Sequence, residues 1–413
     1  MKKTSAALLV AAVVLAGSLA GCGSGQEEPA GLELQRTYQA PVDGSAKAAE
    51  GKLYLAGQVK VLLLAGTYKQ MGMEYGSLLS DQLNQMYDEM SADFDKLPGI
   101  SYEGMLQIGK WMYEGSPRDL QDLIAGAAET SGLGIEKQMM MNAVEYYTPA
   151  TAYAAGCSGC AAWGPYSSDE TLVFGRNYDY APKFADSMVV TAYRPAGSNL
   201  SFSCIAYAGI FNATSALNSE GLFLEVNNGE FSGGETEIDA REFGCASTFS
   251  FISQRRSLDA LDYAFASTNT NMAFIVNAAF GSDAASYEWP TFGVKRRGPD
   301  QDGLLVATNN FVDPSWDGVD GIKQVGEGPR FGYTLERRAN LLALAERNKG
   351  SITPEVMMEM MATPLEQGGP LLEGSRFVTC YQMVVVPSAL ELWVRVPGFQ
   401  EWTAIDLGSL LRD

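Results

Sequence analysis

The chain divides into two stretches by the spacing of its hydrophobic residues. The apolar, β-branched run Val59–Leu64 predicts a strand, and the helical spacing across Lys69–Asp95 predicts a helix after it. Residues 117–148 predict two amphipathic helices, separated at Ser131-Gly132-Leu133-Gly134. The first third of the chain is therefore predicted to be mostly helical.

After Tyr153, short apolar segments separated by turn residues predict strands almost to the end of the chain. The predicted strands are Thr171–Phe174, Met188–Tyr193, Phe202–Ala208, Gly221–Val226, Phe274–Ala279, Gly303–Thr308, Tyr381–Val386 and Leu390–Val396. Helices are predicted at Phe249–Ser267, Leu335–Glu346 and Pro354–Met361. This order of elements predicts sheets with helices packed on them, in an α/β or α+β layered domain.

The first residues have the pattern of an export signal. Lys2 and Lys3 precede an apolar run from Ala6 to Ala16, and Leu19-Ala20-Gly21-Cys22 follows. The segment resembles a bacterial lipoprotein signal, which implies cleavage before Cys22 and lipidation of its thiol. The alternative is an ordinary secretory signal that happens to contain a cysteine. We expect residues 1–21 to be a lipoprotein signal peptide and residues 22–56 to be a lipidated tether.

No later segment has about 18 or more uninterrupted apolar residues, the length that spans a bilayer. We therefore expect the mature protein to be held at the cell membrane by lipid on Cys22, facing the extracytoplasmic side.

The composition limits the possible partners and the possible chemistry. The 413 residues include 29 Lys+Arg and 49 Asp+Glu, a formal net charge of −20, which disfavours nucleic-acid binding. The chain has no histidine, so Ser-His-Asp triads, Cys-His proteases and His-ligated metals are excluded. Any catalysis must use another group: a carboxylate, a lysine of lowered pKa, a metal held by oxygen or sulfur ligands, or a free α-amino group, which titrates close to neutral pH. We expect a small-molecule partner and no cofactor.

The segment from Gly156 to Tyr180 holds the candidate chemistry. A strand beginning near Cys157, a polar turn at 167–170 and a returning strand would bring Arg176 and Asp179 back beside the cysteine. An arginine beside a thiol favours the thiolate, and an aspartate can hold an ammonium group. The cluster would suit a cysteine whose own α-amino group is the base, after the Gly156–Cys157 bond has been cut.

This segment resembles the self-processing cysteine N-terminal nucleophile hydrolases. It is most similar to the acyl-coenzyme A:6-aminopenicillanic acid acyltransferase family, which is related to choloylglycine hydrolases and acid ceramidase. The resemblance covers about residues 57–400 and also includes Gly66–Gly76, Gly132–Tyr147, Leu217–Leu222 before Asn227-Asn228, and Val306–Asn309.

The resemblance implies a four-layer αββα sandwich with a mostly helical N-terminal prosegment. Residues 57–156 would be the mostly helical segment of the α chain, which would run from Cys22 to Gly156 after processing. Residues 157–413 would become the catalytic β chain, and the two chains would stay associated.

The resemblance also implies roles for single residues. Cys157 would be the nucleophile, freed by attack on Gly156, and its new amine would take the thiol proton. Arg176 and Asp179 would orient and charge-balance that terminus. Asn309 would help to bind the scissile amide.

For two further roles, the resemblance leaves a choice between two adjacent residues. The residue that donates to the oxyanion would be Asn227 or Asn228. Only one of them can face inward, because adjacent residues of a strand point to opposite faces. Asn228 is slightly favoured. A late arginine falls at Arg337 or Arg338, and Arg338 is taken as the site candidate.

Each feature also has an ordinary structural interpretation. Cys157-Ser158-Gly159-Cys160 is a C-x-x-C motif, which in an exported chain fits a disulfide or a redox site. The asparagines could be turn or strand-end residues. Arg337 and Arg338 could be a solvated helix face, and Arg176 and Asp179 a structural ion pair.

Taken together, the sequence predicts an autoproteolytic cysteine amidohydrolase. It would cleave a linear amide, an N-acyl amino compound, through a thioester on Cys157. Hydrolysis is favoured over acyl transfer because coenzyme A is a cytosolic donor. The alternative is a non-catalytic surface lipoprotein that binds a small ligand on the same fold.

Overall fold

Two β-sheets packed face to face form the centre of the protein, as seen in a computed structural model. The structure describes residues 29–42, 49–94, 96, 101–144, 156–234, 236–237, 242–374 and 378–412. The predicted signal peptide and Cys22 lie outside the described residues.

The first sheet has ten strands in the order β1-β2-β3-β6-β7-β8-β9-β10-β11-β12. These strands are β1 Glu33–Ala40, β2 Ala49–Ala56, β3 Val59–Gly66, β6 Met188–Pro195, β7 Phe202–Tyr207, β8 Ser215–Asn218, β9 Phe223–Asn228, β10 Phe274–Phe280, β11 Asp283–Trp289 and β12 Lys295–Arg297. Strands β3 and β6 are parallel, and the other neighbours are antiparallel.

The second sheet has six antiparallel strands in the order β13-β4-β5-β14-β15-β16. They are β4 Gly156–Gly164, β5 Glu170–Tyr180, β13 Leu304–Ala307, β14 Val378–Val386, β15 Glu391–Val396 and β16 Gln400–Asp406. Strands β4, β5 and β14 are buried along almost their whole length. Because both faces of these strands are covered, their sequences lack the alternation of apolar and polar residues that is typical of a half-exposed strand.

The structure describes ten α-helices, most of which cover the outer faces of the two sheets. They are α1 Tyr68–Leu78, α2 Ser80–Ser91, α3 Tyr102–Glu114, α4 Arg118–Ser131, α5 Ile135–Asn142, α6 Gly244–Gln254, α7 Leu258–Ala266, α8 Thr334–Arg347, α9 Pro354–Ala362 and α10 Leu407–Leu411. Helices α1, α6 and α7 pack on the first sheet, and α8 and α9 pack on the second. The order of layers is helix, sheet, sheet, helix, which confirms the predicted αββα sandwich.

Apolar side chains fill the spaces between the layers. Phe174 of the second sheet meets Phe223 of the first, with ring centroids 4.9 Å apart. A separate cluster, including Leu341, Met357 and Val384, fills the space between the second sheet and helices α8 and α9. Each sheet is therefore buried on both faces, and polar groups inside the sandwich need partners there.

The N-terminal residues differ from the prediction. Strands β1 and β2 lie within 33–56, so the predicted tether is wrong for these residues. Strand β1 was missed because it is an edge strand whose side chains are mostly exposed, so it shows no hydrophobic periodicity. The helix predicted at Lys69–Asp95 is split at Leu79 into α1 and α2, and the helix predicted at Phe249–Ser267 is split into α6 and α7.

Two predicted helices were placed well. Helices α4 and α5 are separated at Gly132 and Gly134, both of which have positive φ. Among the described residues, no helix has the length and apolar character needed to cross a membrane.

Candidate active site

The predicted hairpin exists and brings the candidate residues together. Strands β4 and β5 are antiparallel, with Gly156 opposite Asp179, Cys157 opposite Tyr178 and Gly159 opposite Arg176. Because side chains alternate along a strand, Cys157 and Arg176 face the first sheet, whereas Ser158 and Asp179 face the helical layer.

The Cys157 thiol lies against the guanidinium of Arg176. Nη2 of Arg176 is 3.2 Å from Sγ of Cys157 and also donates to the carbonyl of Val226 at 2.7 Å. Nη1 donates to Oγ of Ser215 at 2.6 Å and to the carbonyl of Thr214. Both Arg176 and Cys157 are buried, so this charge acts on the sulfur with little screening by solvent.

The backbone of Cys157 is held by two other buried side chains. Its N–H donates to Oδ1 of Asn309 at 2.9 Å, and its carbonyl accepts from Nη1 of Arg337 at 2.7 Å. Asn309 is fixed in turn, since its Nδ2 donates to the carbonyl of Asn228 at 2.9 Å. The position that a free amine of Cys157 would occupy is thus next to an amide oxygen.

Arg337 connects most of these groups. Its donors reach Cys157 O (2.7 Å), Ser158 Oγ (2.8 Å), Asp179 Oδ2 (3.0 Å), Asn309 Oδ1 (2.7 Å) and Gly332 O (2.8 Å). Asp179 also accepts from Thr379 Oγ1 at 2.7 Å. The bonds of Asp179 therefore run to Arg337 and Thr379, and Asp179 reaches the backbone of Cys157 through Arg337.

The choice of Arg338 as the late arginine is wrong. Arg338 forms an ion pair with Asp300 and lies apart from Cys157, whereas Arg337 is fully buried beside it. Both residues lie on α8, and adjacent residues on a helix point in directions about 100° apart. Only the packing of α8 on the second sheet decides which of the two faces inward.

The slight preference for Asn228 is also not supported by the orientation of strand β9. Asn227 lies on the same face of the strand as Glu225, towards the second sheet, and its Nδ2 donates to the carbonyl of Thr308 at 3.3 Å. The side chain of Asn228 is instead bonded to Glu230, with its Oδ1 accepting from the Glu230 N–H at 2.9 Å. Asn227 is the inward-facing residue, and its role in an oxyanion hole stays a prediction.

Sequence reasoning missed one charged residue of the site. Glu225 is fully buried on β9, its Oε1 is 3.6 Å from Nε of Arg176, and its Oε2 accepts from Nδ2 of Asn277 at 2.6 Å. The signal was a single acidic residue in an otherwise uncharged buried strand, Phe223–Asn228. Such a residue needs a partner, since an unpaired buried charge is very unfavourable.

Burial changes the acidity of the groups around the thiol. It raises the pKa of Cys157 to about 11, against the opposing effect of Arg176. It raises the pKa of Glu225 to about 7, and it raises the pKa of Asp179 against the opposing effect of Arg337. With Cys157 in a continuous chain, the sulfur is therefore a neutral thiol at neutral pH and needs a base before it can act as a nucleophile.

The two cysteines of the C-x-x-C motif are not paired. Cys157 and Cys160 are both free, and they lie on opposite faces of β4, in different apolar clusters. Side chains on opposite faces of a strand point apart and do not meet the geometry of a disulfide.

A cavity of about 790 Å³ lies beside α8. Its wall includes Gly332, whose carbonyl accepts from Arg337, together with Tyr333, Leu365 and Leu372. This volume lies in the range of small-molecule sites. Within the described part of the chain, no group of three or more His, Cys, Asp or Glu residues is placed to hold a metal ion.

Comparison with known proteins gives only distant similarities. No protein-family model and no curated protein matches the chain. Among solved structures, the chain is similar to a Caenorhabditis elegans N-acylethanolamine-hydrolyzing acid amidase ortholog, with 14% identity, a TM-score of 0.42, and coverage of 60% of this chain and 99% of that one. It is also similar to a variant of the conjugated bile acid hydrolase from Clostridium perfringens, with 13% identity, a TM-score of 0.44, and coverage of 62% and 95%.

A third similar structure is the penicillin V acylase from Agrobacterium tumefaciens, with 11% identity, a TM-score of 0.44, and coverage of 62% of this chain and 88% of that one. At this level of similarity, the contacts around Cys157 carry the functional argument.

Proposed function

We propose that this protein is a self-processing cysteine amidohydrolase of the N-terminal nucleophile type, with Cys157 as the nucleophile. The observation that carries the proposal is that the sulfur, nitrogen and carbonyl oxygen of Cys157 each contact a buried polar side chain, from Arg176, Asn309 and Arg337. An ordinary core cysteine packs as a small apolar residue and does not require such a set of contacts.

The first step is scission of the chain. The sulfur of Cys157 attacks the carbonyl carbon of Gly156, the bond from that carbon to the Cys157 nitrogen breaks, and the nitrogen gains the proton lost by the thiol. Water then hydrolyses the resulting thioester, which leaves a free carboxylate on Gly156 and a free α-amine and thiol on Cys157.

The second step is turnover of an amide substrate. The α-amine, held by the Oδ1 of Asn309, takes the thiol proton, and Arg176 stabilises the thiolate. The thiolate attacks the substrate carbonyl, the leaving amine takes the proton from the α-ammonium group, and water hydrolyses the thioester. Asn227 would donate to the developing oxyanion, and Asp179 would keep Arg337 in place.

The substrate would be a linear N-acyl amide. The cavity beside α8 has apolar residues, including Leu365 and Leu372, and carboxylates, including Glu336 and Glu366. The sulfur of Cys157 faces the other side of the second sheet, so the acyl and amino parts of the substrate are not assigned to this cavity. Hydrolysis is preferred to transfer, since the proposed location outside the cytoplasmic membrane lacks coenzyme A.

The proposed location follows from the N-terminal sequence. Lipid on Cys22 would hold the α chain at the cell membrane, and the β chain would stay bound through the sheet pairing of β3 with β6. In this arrangement the catalytic domain faces the extracytoplasmic side.

Denaturing electrophoresis with intact-mass measurement tests the self-processing. The wild type should give two chains, residues 22–156 and 157–413, whereas Cys157→Ala should give one uncut chain. Cys160→Ala is the matched control because Cys160 lies on the same strand but on its opposite face, and it should be cut like the wild type. A single uncut band from active wild-type protein would contradict the proposal.

A further inference from the structure

The guanidinium of Arg176 lies within 4 Å of two acidic side chains, Cys157 and Glu225, and the processing chemistry uses only Cys157. The phenol of Tyr381 also acts on this charge. Nη2 lies 3.2 Å from the sulfur of Cys157, and Nε lies 3.6 Å from Oε1 of Glu225. All three side chains are buried between the two sheets. A single positive charge therefore faces two groups that can each become negative.

The structure contains a specific space for the Glu225 carboxylate. Gly159, on the strand that carries Cys157, lies directly opposite, and a Cβ on this residue would overlap Oε2 of Glu225. Asn277 on β10 donates to the same oxygen at 2.6 Å, and Asn227 lies beside the carboxylate on β9. The titratable and charged groups that act on Glu225 from the facing strands are Arg176 and Asp179 on β5 and Cys157 and Cys160 on β4.

Arg176 does not need Glu225 to stay in place. Its two terminal nitrogens donate to three oxygens, the carbonyls of Thr214 and Val226 and the hydroxyl of Ser215. A neutral residue at position 225 would therefore leave the guanidinium against the sulfur, and the main change would be electrostatic.

On the basis of the proposed function, we propose that Glu225 is a positioning residue that controls the nucleophile through Arg176, by competing with the Cys157 thiolate for its positive charge. When Glu225 is ionised, part of the stabilisation that Arg176 offers a thiolate is offset by the nearby carboxylate. The thiol then stays protonated to a higher pH. This holds an unprocessed or idle cysteine in its less reactive form.

Direct titration of the thiol tests this inference. The protein is labelled with ¹³C at cysteine Cβ, and the Cys157 signal is identified by its absence in Cys157→Ala. The thiolate fraction is measured from pH 7 to pH 12 for the wild type, Glu225→Gln and Glu225→Thr, so that the range includes a midpoint near pH 11. Circular dichroism checks that each protein is folded. If the Glu225→Gln variant does not fold, the Glu225→Thr variant, with its smaller and strand-favouring side chain, is used in its place.

Both neutral substitutions should shift the thiol midpoint down by about one pH unit, which raises the thiolate fraction about tenfold at each pH below the midpoint. Glu225→Asp keeps the negative charge and should shift the thiol midpoint less than the neutral substitutions do. Glu288→Gln is the matched control, since Glu288 is also buried beside an arginine, with Oε1 3.7 Å from Nε of Arg297, and should leave the midpoint unchanged. An unchanged or higher midpoint in both neutral variants would overturn the inference.

The outcome is separable from that of the proposed function. Electrophoresis establishes whether the compared samples are cut or uncut, and only samples in the same state are compared. A wild type that is uncut, together with Glu225 variants whose thiol midpoint is shifted, would remove the self-processing proposal and keep the coupling of Glu225 to the thiol. A wild type that is cut, together with Glu225 variants whose thiol midpoint is unshifted, would keep the self-processing proposal and remove the coupling of Glu225 to the thiol.

Discussion

Arg337 and Arg338 are neighbours on α8 with very different surroundings. Arg337 is fully buried and donates to the carbonyl of Cys157, to Asp179 and to Asn309. Arg338 keeps part of its side chain exposed and pairs with Asp300. Loss of the planar guanidinium should therefore affect the nucleophile at position 337 only, because a lysine cannot reproduce several divergent hydrogen bonds from one rigid group.

We predict that Arg337→Lys slows self-processing by about 10²-fold, the typical effect of removing a preorganised donor. Arg338→Lys is the control and should be processed at nearly the wild-type rate, because its charge towards Asp300 is kept. Both rates can be measured from the loss of the uncut chain after a pulse of synthesis. Equal slowing in the two variants would contradict the assignment of Arg337.

At the scale of elements, helices α1 and α4 approach each other through glycines. A Cβ on Gly72 or Gly76 of α1 would overlap the backbone of α4, and a Cβ on Gly126 of α4 would overlap the carbonyl of Lys69. This close contact holds α4 against the helix that packs on β1, β2 and β3. The glycines are therefore required by packing, although they lower the intrinsic stability of each helix.

We predict that Gly126→Ala lowers the free energy of unfolding by about 1–3 kcal/mol, since the added methyl group forces the two helices apart. Gly104→Ala on α3 is the control, because the nearest atom to its Cβ is the side chain of Ser101 at 3.1 Å. This control should be neutral or more stable by about 0.5–1 kcal/mol. Urea denaturation of both variants gives the comparison, and a loss of stability that is no greater for Gly126→Ala than for Gly104→Ala would argue against the packing role.

The hairpin of β4 and β5 shows why one element was predictable and another was not. Its two strands lie on either side of a short polar turn, so the hairpin itself follows from local sequence. The register that places Gly156 opposite Asp179 also depends on an irregularity between Ala162 and Gly164, which the local sequence does not indicate. Strand β1 carries no such pattern, because one of its edges is unpaired and most of its side chains are exposed. Its position in the fold depends on its backbone pairing with β2, which the pattern of apolar residues in β1 does not predict.

At the scale of the whole molecule, the proposed lipid on Cys22 would decide where the protein is located. We predict that the wild type sediments with membranes and that Cys22→Ser is released into the soluble extracytoplasmic fraction. Mass measurement of the α chain should find the lipid on the wild type alone. Release of the wild type, or retention of Cys22→Ser on membranes, would contradict lipid anchoring.

The sequence by itself determined the layered class of the fold, the hairpin around Cys157 and the absence of imidazole chemistry. These features depend on periodicity, turn residues and composition, which are local or additive properties of a chain. It also placed Arg176 and Asp179 near Cys157 through the predicted hairpin, and the family resemblance placed Asn309 there.

Only the tertiary structure decided which member of each adjacent pair faces Cys157. Arg337 rather than Arg338, and Asn227 rather than Asn228, face Cys157 because helix α8 and strand β9 each pack against the second sheet in a fixed orientation. It also revealed Glu225, whose importance arises from two strands, β5 and β9, that belong to different sheets. Such contacts form between residues far apart in the chain, and the spacing of residues in a single sequence does not encode them directly.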